Sequence, residues 1–265
     1  AIIGTLRNQL NTDKLGIFAG QRFIAADKVT PTDTMAIASA NWLASAQFAA
    51  KRRQQALFVD IGSTTTDILL IEDHTLKALG YSDFERLVSG ELLYTGVVRT
   101  AVMAIAQRAV FQGREMGLMA EYFATMADVY RLTGDLNPAH DQSDTADGAD
   151  KSLQASARRL SRMTGYEFTQ SDADLWQAFA NELKRRQMTM IRQACERQWQ
   201  RSPQSDMILI GAGVGRFLLN ELAVECGWSY LDFNALVEQA PRLGDIDSAD
   251  CAPAVAVAFL AGGFG

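Results

Sequence analysis

The alternation of apolar and polar positions divides the chain into brief strand-like runs and longer helix-like ones. Residues 15–26, LGIFAGQRFIAA, hold two apolar runs around Gly20 and predict one or two short strands. The stretch PTDTMAIASANWLASAQFAAKRR opens on helix-start residues at Pro31, Thr32 and Asp33. It continues as an alanine-rich, weakly amphipathic run and ends on basic residues, so one helix is predicted to about Arg53. Residues 56–73, ALFVDIGSTTTDILLIED, are a buried-type strand, a break at Gly62 and a second strand, and TLKALGYSD adds a third short one. Short helices broken at Gly90 follow over 83–97, then a hairpin about Gln112 and Gly113 and a short helix, EYFATMADVYRLTG, closed by Gly134. After a polar, acidic loop over 135–150 comes a helix ending at Gly165 and a long helix from Ser171 to Arg201. Trp176, Phe179, Leu183, Ile191, Ala194 and Trp199 form a broken stripe on that helix and read as core. DMILIGAGVGRFLLNELAVECG is strand, glycine turn and helix, and SADCAPAVAVAFLAGGFG closes the sequence as an apolar helix expected to be buried on most faces. Loosely alternating strands and helices predict an α/β fold.

Composition narrows the classes. The 265 residues are 48% hydrophobic and 21% charged, enough for a sizeable core in two lobes or one large domain. A net charge of -6 argues against a nucleic-acid binder driven by bulk charge, yet leaves room for a local anion site. The 3 cysteines, Cys195, Cys226 and Cys251, show no C-x-x-C spacing; they are expected to be small buried hydrophobes in a reducing compartment. With 2 histidines, a His-rich metal site is out of reach. No apolar run approaches membrane length and no signal pattern opens the sequence, so a cytoplasmic location without membrane partners is expected.

Chemistry concentrates in DIGSTTTD. Gly62 lets backbone N–H groups approach an anion, and the hydroxyls of Ser63, Thr64, Thr65 and Thr66 add donors that rotate to suit phosphate oxygens. Carboxylates beside a phosphate repel it unless a cation intervenes, so Asp60 and Asp67 make sense if a partly hydrated Mg²⁺ bridges them to the ligand. The alternative is a threonine-rich hairpin chosen for β propensity. ILIGAGVGRFLLNEL adds Gly211, Gly213 and Gly215 before a helix N-terminus, where anions are attracted, with Arg216 in reach of a phosphate. The spacing is not the dinucleotide fingerprint.

With these motifs the chain resembles the actin, heat-shock ATPase and sugar-kinase superfamily, and within it the hydantoinase A/oxoprolinase-like branch. It is most similar there to the tetrahydromethanopterin-linked one-carbon-transfer pathway proteins, related to (aminomethyl)furan synthases of methanofuran biosynthesis. The resemblance rests on ASANWLASA, ALFVDIGSTTTD, GYSDFERLVSGELLYTGVVRT, EYFATMADVYRL, TADGADKS and GAGVGRFL. It implies a ribonuclease H-like, two-lobed α/β fold. Residues 1–53 would be the remainder of a first lobe, 54–245 a second lobe with the hairpin, and 246–265 a helix packing back on the first. Superfamily members carry two phosphate hairpins; DIGSTTTD resembles the second, and the first has no counterpart, so the sequence is expected to be truncated, cleaved or incomplete.

The resemblance also places Glu91, Arg99, Asp147 and Lys151 toward substrate, and Asn41, a weak former inside the alanine-rich helix, is expected to contact ligand or a neighbouring backbone. Lys151 opens a helix, an unfavourable place for a cation, and Arg99 suits a phosphate or carboxylate. Glu121 and Asp128, seven apart, are expected on one solvated helix face. The implied activity is transfer of an aminomethyl-furan methyl group from its diphosphate to the phenol oxygen of tyramine or glutamyl-tyramine. Asp60 and Asp67 would be the catalytic and metal-holding pair for a phosphorylated small molecule. Two alternatives stay open: an ATP-dependent kinase or hydrolase, in which Asp67 orients the attacking group and GAGVGRFL holds adenosine, and a non-catalytic partner subunit. A homodimer or a pathway partner is compatible with each.

Overall fold

The computed structural model describes residues 2–10, 15–38, 40–203, 208–238 and 244–262. Ala1, Ser39, Asp206, Met207 and the closing Gly263, Phe264 and Gly265 of the stretches quoted above lie outside them.

A first helix, α1 (Ile2–Leu10), buries none of its residues. β1 (Gly16–Phe18) and β2 (Phe23–Ala25) pair antiparallel around Gly20, as the two apolar runs predict. The alanine-rich run is two helices, not one: α2 (Thr34–Ala38) after a single 3-10 turn at Pro31–Asp33, and α3 (Asn41–Arg52). Helix propensity is continuous across the join, but burial is not. α3 buries eight residues, Trp42 and Phe48 among them, while α2 buries none. The sheet, rather than propensity, sets where α3 starts.

The central sheet is six-stranded, in the order β10-β9-β3-β4-β5, with β6 also on β4. β3 (Gln55–Ile61) and β4 (Thr66–Glu72) are antiparallel in a register that sets Asp60 opposite Asp67. β9 (Ile208–Ala212) runs parallel to β3, and β10 (Ser229–Asp232), which the sequence pattern did not predict, runs parallel to β9. β5 (Thr75–Leu76) and β6 (Leu92–Leu93) are short partners of β4. The stretch 83–97 therefore holds one helix, α4 (Asp83–Ser89), and then a strand; Gly90, at φ +74°, ends α4 in the left-handed region where glycine carries no Cβ penalty.

Helices cover both faces of the sheet, which is why β3 reads as a continuous apolar run instead of alternating. On one face α3 and α10 (Ala252–Ala261) bring Phe48 and Ala256 to Phe58, Leu69 and Ile210. On the other lie α6 (Met126–Thr133), α7 (Leu153–Thr164), α8 (Ala173–Trp199) and α9 (Phe217–Cys226). Trp176, Phe179, Leu183, Ile191 and Ala194 of α8 are all core residues, as their stripe predicts. The small helix α5 (Val102–Ile105) and the hairpin β7 (Arg108–Phe111) and β8 (Arg114–Gly117) border this layer, and the hairpin turns at Gln112 and Gly113 as expected.

Three further expectations are corrected. Asp128 is not on a solvated face: it is 1% exposed and accepts from Arg159 Nε at 2.8 Å, Arg131 Nη1 at 2.6 Å and Ser156 Oγ at 2.9 Å, while Glu121 precedes the helix altogether. α10 buries only Ala252 and Ala256, so its apolar composition is not matched by burial on most faces. Of the cysteines, Cys195 is buried, Cys226 half-buried and Cys251 exposed. Among the described residues no helix is long and apolar enough to cross a membrane.

Candidate functional site

The hairpin tip is held open by a neighbouring segment. Gly62 N–H donates to Thr65 O at 2.8 Å and closes the turn. Residues 95–100 then clamp its outer side: Val97 N–H donates to Gly62 O, Val98 and Arg99 N–H both donate to Ser63 O, and Thr66 Oγ1 donates to Thr95 O at 2.7 Å. Gly96 makes this approach possible, because a Cβ there would stand 2.4 Å from Thr64 N and 2.5 Å from Gly62 O. Three successive N–H groups, those of Ser63, Thr64 and Thr65, donate to no partner among the described residues. Such a run of unpaired amides is an anion-binding concavity. Thr66 is fully buried and structural; Thr64 Oγ1 accepts from Arg99 Nε at 2.7 Å.

Asp60 and Asp67 stand side by side across the β3–β4 ladder. Burial, and then the neighbouring Asp67 charge, push the Asp60 carboxyl up to about 7, against the opposing pull of Arg216. No hydrogen-bond donor among the described residues reaches it. Burial also raises Asp67, opposed by Arg86, which is ion-paired with it. Arg86 is buried, with its guanidinium 3.9 Å over the Trp42 ring. Sequence reasoning missed this residue; an arginine in a helix otherwise rich in exposed apolar residues was the available signal.

The glycines of the β9–α9 turn have a different task from the one expected. A Cβ on Gly213 would stand 2.2 Å from Asp60 Oδ1, one on Gly215 2.4 Å from Ile61 Cγ2, and one on Gly211 2.6 Å from Tyr230 Oη. The N–H groups of Gly213 and Gly215 are already given to Ala249 O and Ile61 O. These glycines allow the turn to lie against the hairpin. Arg216, expected near phosphate, is held by three carboxylates: Asp232 at 2.9 Å, Asp247 at 2.6 Å and Asp250 at 2.5 Å.

A cleft of about 370 Å³ opens beside the tip, lined by Asp60, Gly62, Ser63, Thr65, Asp67 and Gly213 on one side. Asn41 and Trp42, at the start of α3, and Asp250, Cys251 and Pro253, at the start of α10, line it as well. Neither helix has a side-chain N-cap, and the first-turn N–H groups that they carry, Pro253 having none, donate to no partner among the described residues. The remaining wall is Ala139, His140 and Gln142 from the acidic loop, with Val214 and Ile246.

Of the residues expected toward substrate, Asn41 is thus in the cleft and Arg99 is at the back of the tip. The others are not brought there. Glu91 is fully buried, accepting from Leu79 N–H, Gly80 N–H, Ser89 Oγ and Arg201. Asp147 pairs with Arg159 and Arg162, and Lys151 Nζ donates to Asp141 O at 2.6 Å. His140, Gln142, Asp250 and Cys251 were missed, since nothing in the local sequence says that loops this far apart converge.

Among the described residues no group of three or more His, Cys, Asp or Glu could hold a metal by itself. Mg²⁺ needs no such cage, since one or two carboxylates, water and a ligand phosphate suffice. The donor-free Asp60 carboxylate beside Asp67 fits that kind of site.

The chain is 32% identical, over 178 residues, to the (4-{4-[2-(gamma-L-glutamylamino)ethyl]phenoxymethyl}furan-2-yl)methanamine synthase of Methanocaldococcus jannaschii, covering 67% of this chain and 54% of that protein. The synthase of the same name from Methanococcus vannielii is 32% identical over 121 residues, 46% of this chain and 54% of that one. The chain therefore spans about half the length of the curated relatives it matches. A nucleotide-free acetone carboxylase structure superposes with a TM-score of 0.53 at 13% identity, covering 83% of this chain and 34% of that one. This likeness concerns the fold, which is of the actin-like ATPase kind. The hydantoinase/oxoprolinase family matches residues 19–240, so the chain belongs to that family.

Proposed function

We propose that the protein is a transferase of methanofuran or methylofuran biosynthesis. It joins an aminomethyl-furan methyl diphosphate to the phenol oxygen of tyramine or glutamyl-tyramine and releases pyrophosphate. The name of the relatives supports the bond: their product is a phenoxymethyl-furan, an ether between a phenol and a furan methylene. The observation that carries the reading is the convergence on one cleft of Ser63 and Thr65 with their unpaired amides, the uncapped starts of α3 and α10, and the Asp60–Asp67 pair. Amides and helix N-termini attract the oxygens of a leaving diphosphate.

Asp60 and Asp67 would hold Mg²⁺, and when bound the ion neutralises charge on the departing diphosphate. Arg86 keeps Asp67 in place. The amides at the tip hold the leaving oxygens, and the wall formed by Ala139, His140 and Gln142 closes the cleft around the two reactants so that they meet in line.

Incubating the intact protein with the furan diphosphate, tyramine and Mg²⁺ tests this. Pyrophosphate release without ATP is expected. A strict requirement for ATP consumption would instead mark an ATP-driven enzyme, and no turnover of either kind a partner subunit.

A further inference from the structure

The proposed transfer needs a group to take the phenolic proton, and neither hairpin carboxylate suits it if both hold a cation. His140 lines the same cleft. Its side chain is 10% exposed, and Nε2 is buried without a well-aligned hydrogen bond; Asp250 Oδ2 stands 3.2 Å from it. Asp250 is itself fixed, by Arg216 on Oδ1 and by Asp247 N–H on Oδ2 at 2.9 Å. Its carboxylate thus favours the tautomer with the proton on Nε2. The other ring nitrogen, Nδ1, makes no hydrogen bond among the described residues and is left as a basic lone pair.

The ring is also well placed. It ends the 3-10 turn Pro138–His140, whose start is capped by Asn137 Oδ1 accepting from Ala139 N–H at 3.0 Å. The next residue, Asp141, is anchored by Arg131 at 2.6 Å and by Lys151 at 3.3 Å. The charged group in contact with the ring is Asp250, which Arg216 and the Asp247 N–H hold in turn, and the Asp60 and Asp67 carboxyls line the same cleft.

We propose that His140 is the general base of the transfer, oriented by Asp250. As the phenol oxygen bonds to the furan methylene carbon, the bond from that carbon to the diphosphate oxygen breaks. Its electron pair leaves with the diphosphate, and the phenolic proton passes to His140 Nδ1. The proposal rests on the transferase reading, but the phenol contact can be tested without turnover.

The chain has only His140 and His74, so imidazole signals of the full protein can be assigned with His74→Gln, a residue whose Nδ1 lies against Ala50 O. Adding tyramine should move the His140 Nδ1 resonance and leave that of His74 in place. An unmoved His140 signal at saturating tyramine would overturn the assignment whether or not the protein turns over. Where the wild type does turn over, His140→Gln should lower kcat by about 10²–10⁴-fold, the usual contribution of a positioned base. The loss should be smaller with a more acidic, ring-fluorinated tyramine, and free imidazole should restore part of the rate. Asp250→Asn should lower kcat with little change in KM. A His140→Gln rate equal to wild type with both phenols would exclude His140 as the base. A shifted Nδ1 signal in a protein that releases no pyrophosphate would keep the phenol site and discard the transferase reading.

Discussion

Two residues show how closely the cleft is tuned. Asp60 has its carboxyl raised from 3.8 to about 7 by burial and by Asp67. The folded state therefore binds a proton that the unfolded chain has released, and the associated stability is present below 3.8 and lost as pH rises toward 7. Each tenfold gain in proton affinity is worth about 1.36 kcal/mol, so the whole contribution is at most about 4 kcal/mol. Asp60→Asn copies the neutral form, so it should match wild type in urea unfolding near pH 4 and exceed it near pH 8, in metal-free buffer. Equal stability at both would remove burial as the cause. Gly96 is tuned by shape. A Cβ at 2.4 Å from Thr64 N meets backbone and cannot be relieved by a rotamer change. Gly96→Ala should cost more than about 3 kcal/mol in unfolding free energy, at or beyond the upper end for overpacking. It should also weaken pyrophosphate binding by disturbing the amides of Ser63, Thr64 and Thr65; an intact affinity in that variant would show that the clamp does not shape the tip.

Elements with local signals were legible in the sequence. Gly134 and Gly165 both sit at positive φ beyond the ends of α6 and α7, and Gln112–Gly113 turns the β7–β8 hairpin, because those positions require backbone that glycine favours or a two-residue turn permits. The join between α2 and α3 was not legible, since alanine propensity is the same on both sides and only burial differs. α4 is the sharpest case. Its apolar residues Phe84, Leu87 and Val88 are exposed, and the side chain it buries is Arg86. A charge, not an apolar stripe, docks this helix on β4 and α3, through Asp67 and the face of Trp42. Arg86→Met should therefore cost roughly 3–5 kcal/mol by stranding the Asp67 carboxylate. Adding Asp67→Asn to it should recover most of that loss, measured as a coupling energy in a double-mutant cycle by urea unfolding. Additive single effects would mean that Arg86 contributes packing alone.

At the scale of the molecule, the sequence located one wall of the cleft and little of the other beyond Asn41. DIGSTTTD carries its chemistry in contiguous residues. Asn41, His140 and Asp250 come from segments far apart, and only the sheet, with helices on both faces, brings them to one place. The cleft thus joins the α3 and α10 layer to the loop over 137–142, which is tied to the opposite layer through Asp141 and Arg131. A ligand that touches all of these should stabilise both layers at once. With pyrophosphate and Mg²⁺ at about a hundred times the dissociation constant, mass action gives about 2.7 kcal/mol of added stability. Hydrogen exchange should slow together in the first turns of α3 and α10, in residues 137–142 and at the hairpin tip. The effect should weaken with salt, since amides and helix ends act on the anion through charge. Protection confined to residues 62–65 would instead mean that the hairpin alone holds the anion, with the starts of α3 and α10 taking no part.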